Sequence, residues 1–252
     1  MTKAGDLTAV VLAGGLGTRL REITQNRYPK PMVPVRLGDE RFPFLEFVLA
    51  PLKQQGLRRF LLCIGHLGDA VKAHFEDGSK FGIDIQYDDA GDADTGARVH
   101  SALRRVDDHD LFVTCGDVYH PIKVARFIQG LRDRPDWQVE LAATELPDAG
   151  APNMVLAPDG RVIAHGSIGA IAGRAVLETG TLAIRRTAFS GQTIGQDYSL
   201  TGHLFPVLAR QGALGSMIQP GPFFDIGTPE RYRRFCVYAE AGHARPLSRV
   251  PS

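Results

Sequence analysis

The chain has 252 residues, of which 44% are apolar and 23% charged, and its formal net charge is +1. That is the composition of an ordinary globular protein with material for a sizeable core, and the length suits one domain carrying a small lobe. The near-balanced charge supplies no bulk field for nucleic acid or a membrane surface, and no run approaches the 18 apolar residues of a membrane-crossing helix.

In chain order, the N-terminal "MTKAGDLTAV" lacks the apolar stretch of a secretory signal. Residues 8–13 ("TAVVLA") form a short apolar run ending in glycine, the pattern of a buried strand. "FLEFVLAPLKQQG" (44–56) has helical spacing and a terminal glycine, with Pro51 expected to kink it. "RRFLLCIG" (58–65) predicts a second buried strand, "GDAVKAHFEDG" (68–78) a helix stopped by Gly78, and "IDIQY" (83–87) a third strand. "ARVHSALRRV" (97–106) predicts a short helix, "DLFVTCGD" (110–117) a fourth strand, and "IKVARFIQGLRD" (122–133) a further helix. Strand and helix alternate, which implies a parallel sheet with helices on both faces.

The second half reads differently. "VELAATEL", "MVLAPDGRVIAHG" and "GTLAIRR" predict strands, with "PDG" as a turn between two of them. "TGHLFPVLARQG" and "TPERYRRFCVYAE" predict helices, the latter with Thr228 as its cap and Pro229 in its first turn. Residues from about 140 to 225 are expected to form a lobe laid onto the parallel sheet. Arg231, Arg233 and Arg234 read as a solvated helix face, and the last ten residues are expected to fray. Of the three cysteines, Cys63 and Cys115 lie in apolar runs and read as buried free thiols, which suits a reducing cytoplasm.

Chemistry concentrates after the first strand, in Gly14-Gly15-Leu16-Gly17-Thr18-Arg19 and, from Lys30, in "KPMVPV". Ligands of parallel α/β folds sit at the carboxyl ends of strands. Glycines there let amide N–H groups converge on an anion, although a plain turn would also account for one Gly-Gly pair. The dinucleotide fingerprint is absent, because its third glycine position holds Leu20, and nothing supplies the Gly-Lys-Ser/Thr of a P-loop. Arg19 as a fork and Lys30 as a point charge can neutralise phosphate. Pro29 and Pro31 stiffen the backbone around Lys30.

The stretch "LAGGLGTRLREITQNRYPKPMVPV" resembles the signature of the sugar-phosphate nucleotidyltransferases, the NDP-sugar pyrophosphorylases: G-G-x-G-T-R-L, a spacer, then K-P-M-x-P. "FLEFVLAPLKQQGLRRFLLCIGHLGD", "CGDVY" (115–119) and "FFDIGTPERY" (223–232) are similar to further segments of that family, in the same order. The wording of "PFLEFVL", "GHLGD" and "HFEDGSKFGIDIQY" resembles the heptose 1-phosphate guanylyltransferase branch most. The resemblance implies an α/β fold of Rossmann-like, GT-A-like kind: a mixed, mostly parallel sheet with helices on both faces and a small sugar-binding lobe. One domain would span 1–252, with about 8–140 for nucleotide, about 140–225 for sugar phosphate, and 226–242 as a closing helix.

The resemblance also implies a reaction. An oxygen of a sugar 1-phosphate attacks the α-phosphorus of a nucleoside triphosphate, and pyrophosphate leaves without an enzyme nucleophile. Carried over residue by residue, Leu12, Ala13, Gly14, Gly15, Gly17, Thr18, Thr95, Gly96 and Gly116 would contact the nucleotide, with Thr95 and Gly96 near its base. Arg19 and Lys30 would be catalytic through their charge. Asp117 and Asp225, each in an apolar setting that is costly for a lone carboxylate, would ligate Mg²⁺. Glu178, Thr179 and Gly180 would lie near the sugar.

Two departures from the family pattern stand out. Asp94 and Ala97 flank Thr95-Gly96 where the family has extra glycines. The family's sugar-phosphate lysine is replaced in "DGRVIAHGSIGAIAG", where His165 and Gly166 stand instead. Arg174, Arg185 or His165 is expected to supply that grip. The expected substrates are GTP and a heptose 1-phosphate or a related seven-carbon sugar or cyclitol phosphate. CTP or dTTP is the runner-up, ATP stays open, and a non-catalytic nucleotide-sugar-binding regulatory subunit is the competing reading. Neither nucleic acid nor membrane is an expected partner, the expected location is cytoplasmic, and a homo-oligomer is left open. Nothing after residue 240 offers the family's optional β-helix, so acetyltransferase activity is not expected.

Overall fold

The computed structural model describes residues 7–15, 17–25, 27–146, 149–166 and 168–250, with every side chain among them except that of Thr18. Strands β1 (Thr8–Leu12), β4 (Arg59–Ile64), β5 (Asp84–Asp89) and β6 (Asp110–Cys115) run parallel in the order β5-β4-β1-β6. Successive side chains of a strand point to opposite faces, and here each face has its own core. Ala9, Val11, Phe60, Leu62 and Phe112 belong to the core under helices α2 (Phe44–Gln54), α3 (Gly68–Phe75), α5 (Val124–Arg132) and α7 (Pro229–Glu240). Val10, Leu61, Leu111 and Val113 belong to the core under α4 (Thr95–Ala102) and α6 (Phe205–Arg210). A sheet covered on both sides needs apolar residues at every position, so these strands read as unbroken apolar runs. Full burial of one such Val, Leu or Phe contributes about 1.5–3 kcal/mol.

Strand β11 (Arg174–Arg185) enters antiparallel beside β6. Strand β8 (Val139–Thr144) pairs antiparallel with β11, and β12 (Leu214–Ile218) pairs parallel with β8. Of these seven strands only β11 runs against the others. The start of β11 pairs instead with β9 (Met154–Leu156), which forms a hairpin with β10 (Val162–His165). The architecture is the mixed, mostly parallel sheet with helices on both faces that the sequence predicts. Within residues 140–225, β8 and β12 extend the main sheet beyond β11, while β9 and β10 add to the start of β11.

Several local expectations need correction. α2 holds Pro51 inside it and ends at Gln54, two residues short of the expected Gly56. α3 stops at Phe75, where Glu76 takes φ +53, and Gly78 at φ +84 opens the single 3-10 turn Ser79–Phe81 that follows. α4 starts two residues early because Asp94 caps it, accepting from the Thr95 N–H. The expected helix 201–212 is split into a wide π-type turn, Leu200–Leu204, and α6. The tail does not fray: Ala244 and Leu247 are buried and the Val250 N–H donates to the Lys80 carbonyl at 2.9 Å, while residues 251–252 lie outside the described residues. Two small sheets were not anticipated: a hairpin of β2 (Pro34–Leu37) and β3 (Glu40–Pro43), and a ladder of β7 (Val118–Tyr119) with β13 (Phe224–Asp225). Among the described residues no helix is long and apolar enough to cross a membrane.

Candidate active site

The carboxyl ends of β1, β4 and β6 are tied together by the Ala13 N–H to the Cys63 carbonyl at 2.8 Å and the Gly116 N–H to the Leu12 carbonyl at 2.9 Å. Above that rim lies a cleft of about 630 Å³ whose lining includes Leu12, Gly14, Gly15, Lys30, Thr95 and Asp117. The glycines of the first loop have different tasks. A Cβ on Gly14 would lie 2.2 Å from Nη1 of Arg98, whereas one on Gly15 would meet nothing within 4 Å. Gly17 takes φ +59, and a Cβ there would lie 2.9 Å from the Cβ of Lys30. Gly15 alone of the three leaves its open side to a ligand; Gly14 and Gly17 make room for cationic side chains. The chain then enters the 3-10 turn Thr18–Leu20 and the short helix α1 (Arg21–Thr24). Arg19 is exposed there, and the Thr18 side chain and Leu16 lie outside the described residues.

Lys30 opens a 3-10 turn, Lys30–Met32, after Pro29 in extended conformation and with Pro31 inside the turn. Its side chain is buried, and its ammonium donates to Oδ2 of Asp117 and lies 3.6 Å from Oδ1 of Asp225. The two aspartates come together through the β7–β13 ladder: Asp225 pairs with Val118, the neighbour of Asp117, and the Ile226 N–H donates to the Asp117 carbonyl at 3.1 Å. The other oxygen of Asp225 accepts from Nη1 of Arg231 at 2.7 Å. Arg231 is thus no solvated helix residue, and two carboxylates and two cations alternate in one chain of contacts. Arg233 does stay at the surface, paired with Glu22.

At the amino end of α4, Thr95 lines the cleft and its hydroxyl accepts from the Leu200 N–H at 3.1 Å. The segment 196–200, which the sequence did not single out, also supplies the Gln196 carbonyl to the Asp94 N–H at 2.7 Å and the Tyr198 carbonyl to the Ala97 N–H at 2.9 Å. Gly96 is buried against that segment, where a Cβ would lie 2.7 Å from the Tyr198 ring. Arg98, one turn on, was missed altogether; it is buried and lines the cleft.

On the other side of β6, Gly180 adopts φ +72 at a break in the β11–β8 register, and a Cβ there would lie 3.1 Å from the Cys115 sulfur. The Gly180 N–H donates to Oε1 of Glu178, and the Glu178 N–H donates to Oδ1 of Asn153, both at 2.8 Å. Thr179 is fully engaged inside the fold, donating to the Ala142 carbonyl and contacting Nδ1 of His120 at 3.2 Å. Burial pushes the His120 imidazole down to about 4, so the ring is neutral, and burial pushes the Cys115 thiol well above its ordinary range. His165 sits 3.7 Å from Glu178 and packs edge-on against Phe205.

Two of the arginines expected to grip a sugar phosphate do not reach this place. Arg185 pairs with Asp110 at the amino end of β6, the opposite end from Asp117, and its guanidinium donates to the carbonyls of Trp137, Leu131 and Arg134. It caps the end of α5 rather than facing the cleft. Arg174 makes a two-point pair with Glu145, at 2.6 Å for each bond, on the exposed face of the lobe. Arg231 holds the position beside the aspartates that neither of them does.

The sequence profile described as Nucleotidyl transferase matches residues 8–148, more than half of the chain. The chain belongs to the nucleotidyl transferase family. Among relatives of this nucleotidyltransferase, a UTP–glucose-1-phosphate uridylyltransferase of Synechocystis is 27% identical over 82% of the chain, which spans only 56% of that protein. A D-glycero-alpha-D-manno-heptose 1-phosphate guanylyltransferase of Aneurinibacillus thermoaerophilus is 25% identical over 90% of the chain and 96% of its own length. Among solved structures, HddC of Yersinia pseudotuberculosis, also determined with GMP-PN, superposes with a TM-score of 0.78 at 22% identity, covering 92% of this chain and 99% of that one. At that identity the likeness speaks for the fold.

Proposed function

We propose that this nucleotidyltransferase joins a sugar 1-phosphate to a nucleoside triphosphate and releases pyrophosphate. The observation that carries the reading is the convergence of Asp117 and Asp225 on the Lys30 ammonium at the rim of the glycine-loop cleft. Asp117 and Asp225 also fit Mg²⁺. They offer hard oxygens, already share one cation, and stand without a third clustered His, Cys, Asp or Glu among the described residues. Mg²⁺ takes one or two protein carboxylates and completes its shell from phosphate and water. When bound there, the ion would neutralise phosphate charge and tie the nucleotide to the two carboxylates.

The chain's own residues then position the reactants. Gly15, open on its outer side, receives the phosphates. Lys30 offsets charge on the α-phosphate and on the departing pyrophosphate. The acceptor phosphate oxygen attacks the α-phosphorus in line, and the bond to the β-phosphate oxygen breaks. Arg231, on the far side of Asp225 and beside Gly150, supplies the cation for the acceptor phosphate in place of the family's lysine. Glu178 and His165 face the acceptor's hydroxyls.

The nucleotide is GTP and the acceptor a heptose 1-phosphate or related seven-carbon phosphate, supported by relatives with that activity that align over nearly their whole length. The test is pyrophosphate release with each triphosphate, Mg²⁺ and a panel of sugar 1-phosphates. GTP with a heptose 1-phosphate should give the highest kcat/KM; turnover confined to CTP, dTTP or UTP overturns the base assignment, and no turnover with any pair overturns the reaction.

A further inference from the structure

Arg98 is the most unusual charge in the molecule. It lies on α4, only 5% exposed, and among the described residues no carboxylate is within ion-pair distance of it. Its guanidinium donates instead to four backbone carbonyls at the ends of three strands. Nε–H reaches Ala93 at 2.7 Å, Nη1 reaches Ile64 at 2.5 Å, and Nη2 reaches Gly91 at 2.5 Å and Gly14 at 3.4 Å. The loops that follow β1, β4 and β5 are thus pinned to one planar fork. Two glycines make the space for it: a Cβ on Gly14 would lie 2.2 Å from Nη1, and one on Gly65 would lie 2.6 Å from Nη2.

We infer that Arg98 is the positioning residue of the phosphate loop and the fixed countercharge of the bound triphosphate, an inference that rests on the proposed nucleotide reading of the cleft. Two physical arguments lead there. In a trans peptide, C=O and N–H point in opposite directions. The Gly14 carbonyl turned to Arg98 therefore turns the Gly15 N–H away from it, at the glycine whose outer side is open. The fork sets the direction of a donor that a phosphate oxygen would accept. Second, a buried cation satisfied only by neutral carbonyls keeps its full charge in a low-dielectric setting, which is costly unless an anion approaches. Arg98 lines the cleft beside Gly14 and Gly15, so a polyanion there supplies that compensation. A lysine could not take this place, having three donors on one point and no fork.

The experiment compares wild type with Arg98→Met, Arg98→Lys, Arg98→Ala, Gly14→Ala and the Gly14→Ala/Arg98→Ala double variant, each checked for folding by circular dichroism and thermal melt. GTP with Mg²⁺ is the calorimetric probe, and kinetics are measured with the best triphosphate and sugar 1-phosphate. Arg98→Met and Arg98→Lys should weaken GTP binding and raise the triphosphate KM by about tenfold to a hundredfold, the loss of hydrogen bonds to a charged group. The KM of the sugar phosphate should move less than about twofold. Gly14→Ala should bring a similar loss, and the double variant should bind no worse than Arg98→Ala alone, because both act through one contact. Folded Arg98→Met or Arg98→Lys binding GTP as wild type does overturns the inference, as do equal rises in both KM values. If Arg98→Met fails to fold, additive losses in the Gly14 cycle overturn it and non-additive ones sustain it. Wild type that binds no triphosphate overturns the nucleotide reading itself, a result separable from all of these.

Discussion

The N–H of Ile226 donates to the carbonyl of Asp117 at 3.1 Å, and this one backbone bond registers the C-terminal D-I-G-T-P segment against the end of β6. It sets Asp225 and Asp117 around a single lysine, although the two lie in distant parts of the chain. If that pair holds the metal, Asp117→Asn and Asp225→Asn should each lower kcat by about a hundredfold or more and raise the Mg²⁺ concentration needed for half-maximal rate. A magnesium titration of pyrophosphate release checks this, and an unchanged midpoint in both variants would remove the pair from the metal site.

Gly17 and Lys30 form a second coupled pair. Gly17→Ala puts a Cβ 2.9 Å from the Lys30 Cβ on a backbone already at φ +59. It should cost about 1–2 kcal/mol for the left-handed conformation, and it should lower kcat by displacing the ammonium. Lys30→Arg should not restore the Lys30→Ala loss, because the buried slot between two carboxylates suits a compact ammonium and not a fork. Thermal melts and single-turnover rates report the two effects separately.

Arg231 and Arg185 should behave oppositely. Arg231→Ala should raise the acceptor KM by about tenfold or more, the loss of a charge-assisted contact, with little change for the nucleotide. Arg185→Ala should leave both KM values alone and lower stability by about 1–3 kcal/mol, since the part-buried carbonyls of Trp137 and Leu131 and the exposed one of Arg134 lose a charged donor. Steady-state kinetics beside urea melts distinguish the two roles, and an acceptor KM effect at Arg185 instead of Arg231 would reverse the assignment.

Stability between pH 4 and 7 should reflect two buried groups that pull against each other. His120 is depressed from 6.5 to about 4 by burial, so its contribution is present above pH 6.5 and is lost as pH falls toward 4. Glu140, on β8, is raised from 4.5 to about 7 by burial, so its contribution is present below pH 4.5 and is lost as pH rises toward 7. Each spans about 3 kcal/mol at 1.36 kcal/mol per pH unit, and the wild-type profile should be nearly flat on their account. Glu140→Gln should leave stability rising with pH across this range, and His120→Gln should leave it falling. Denaturant midpoints at several pH values test the signs, and parallel slopes in the two variants would contradict the argument.

The parallel half of the fold was legible because a sheet buried on both faces writes itself as apolar runs, and the glycine loop because its spacing is dense. Other parts left weaker marks. β12, "LGSMI", contains a glycine because the Trp137 ring lies over Gly215, where a Cβ would sit 2.0 Å from it, and a serine whose hydroxyl donates to the Leu141 carbonyl at 2.9 Å. The β2–β3 hairpin did carry a signal in Gly38-Asp39, but prolines at both outer ends disguised the strands. β7 and β13 are two residues each and too short to show a period. Among site residues, Arg98 reads locally like any arginine on a helix. Its burial comes from carbonyls contributed by three other loops, which no pattern within α4 encodes. Arg185 misled for the converse reason: proximity in sequence to "ETG" says nothing about which end of a twelve-residue strand a side chain occupies.

Strand β11 joins the main sheet to the β9–β10 hairpin. Its residues Leu182–Ile184 are clamped between β6 and β8, whereas Arg174–Val176 hold the β9–β10 hairpin, and the register breaks at Gly180 between them. One strand therefore belongs to both. The Gly180 break lies against the Cys115 sulfur, two residues from Asp117, so the hairpin and the carboxylates take their spacing from one continuous strand and its neighbour.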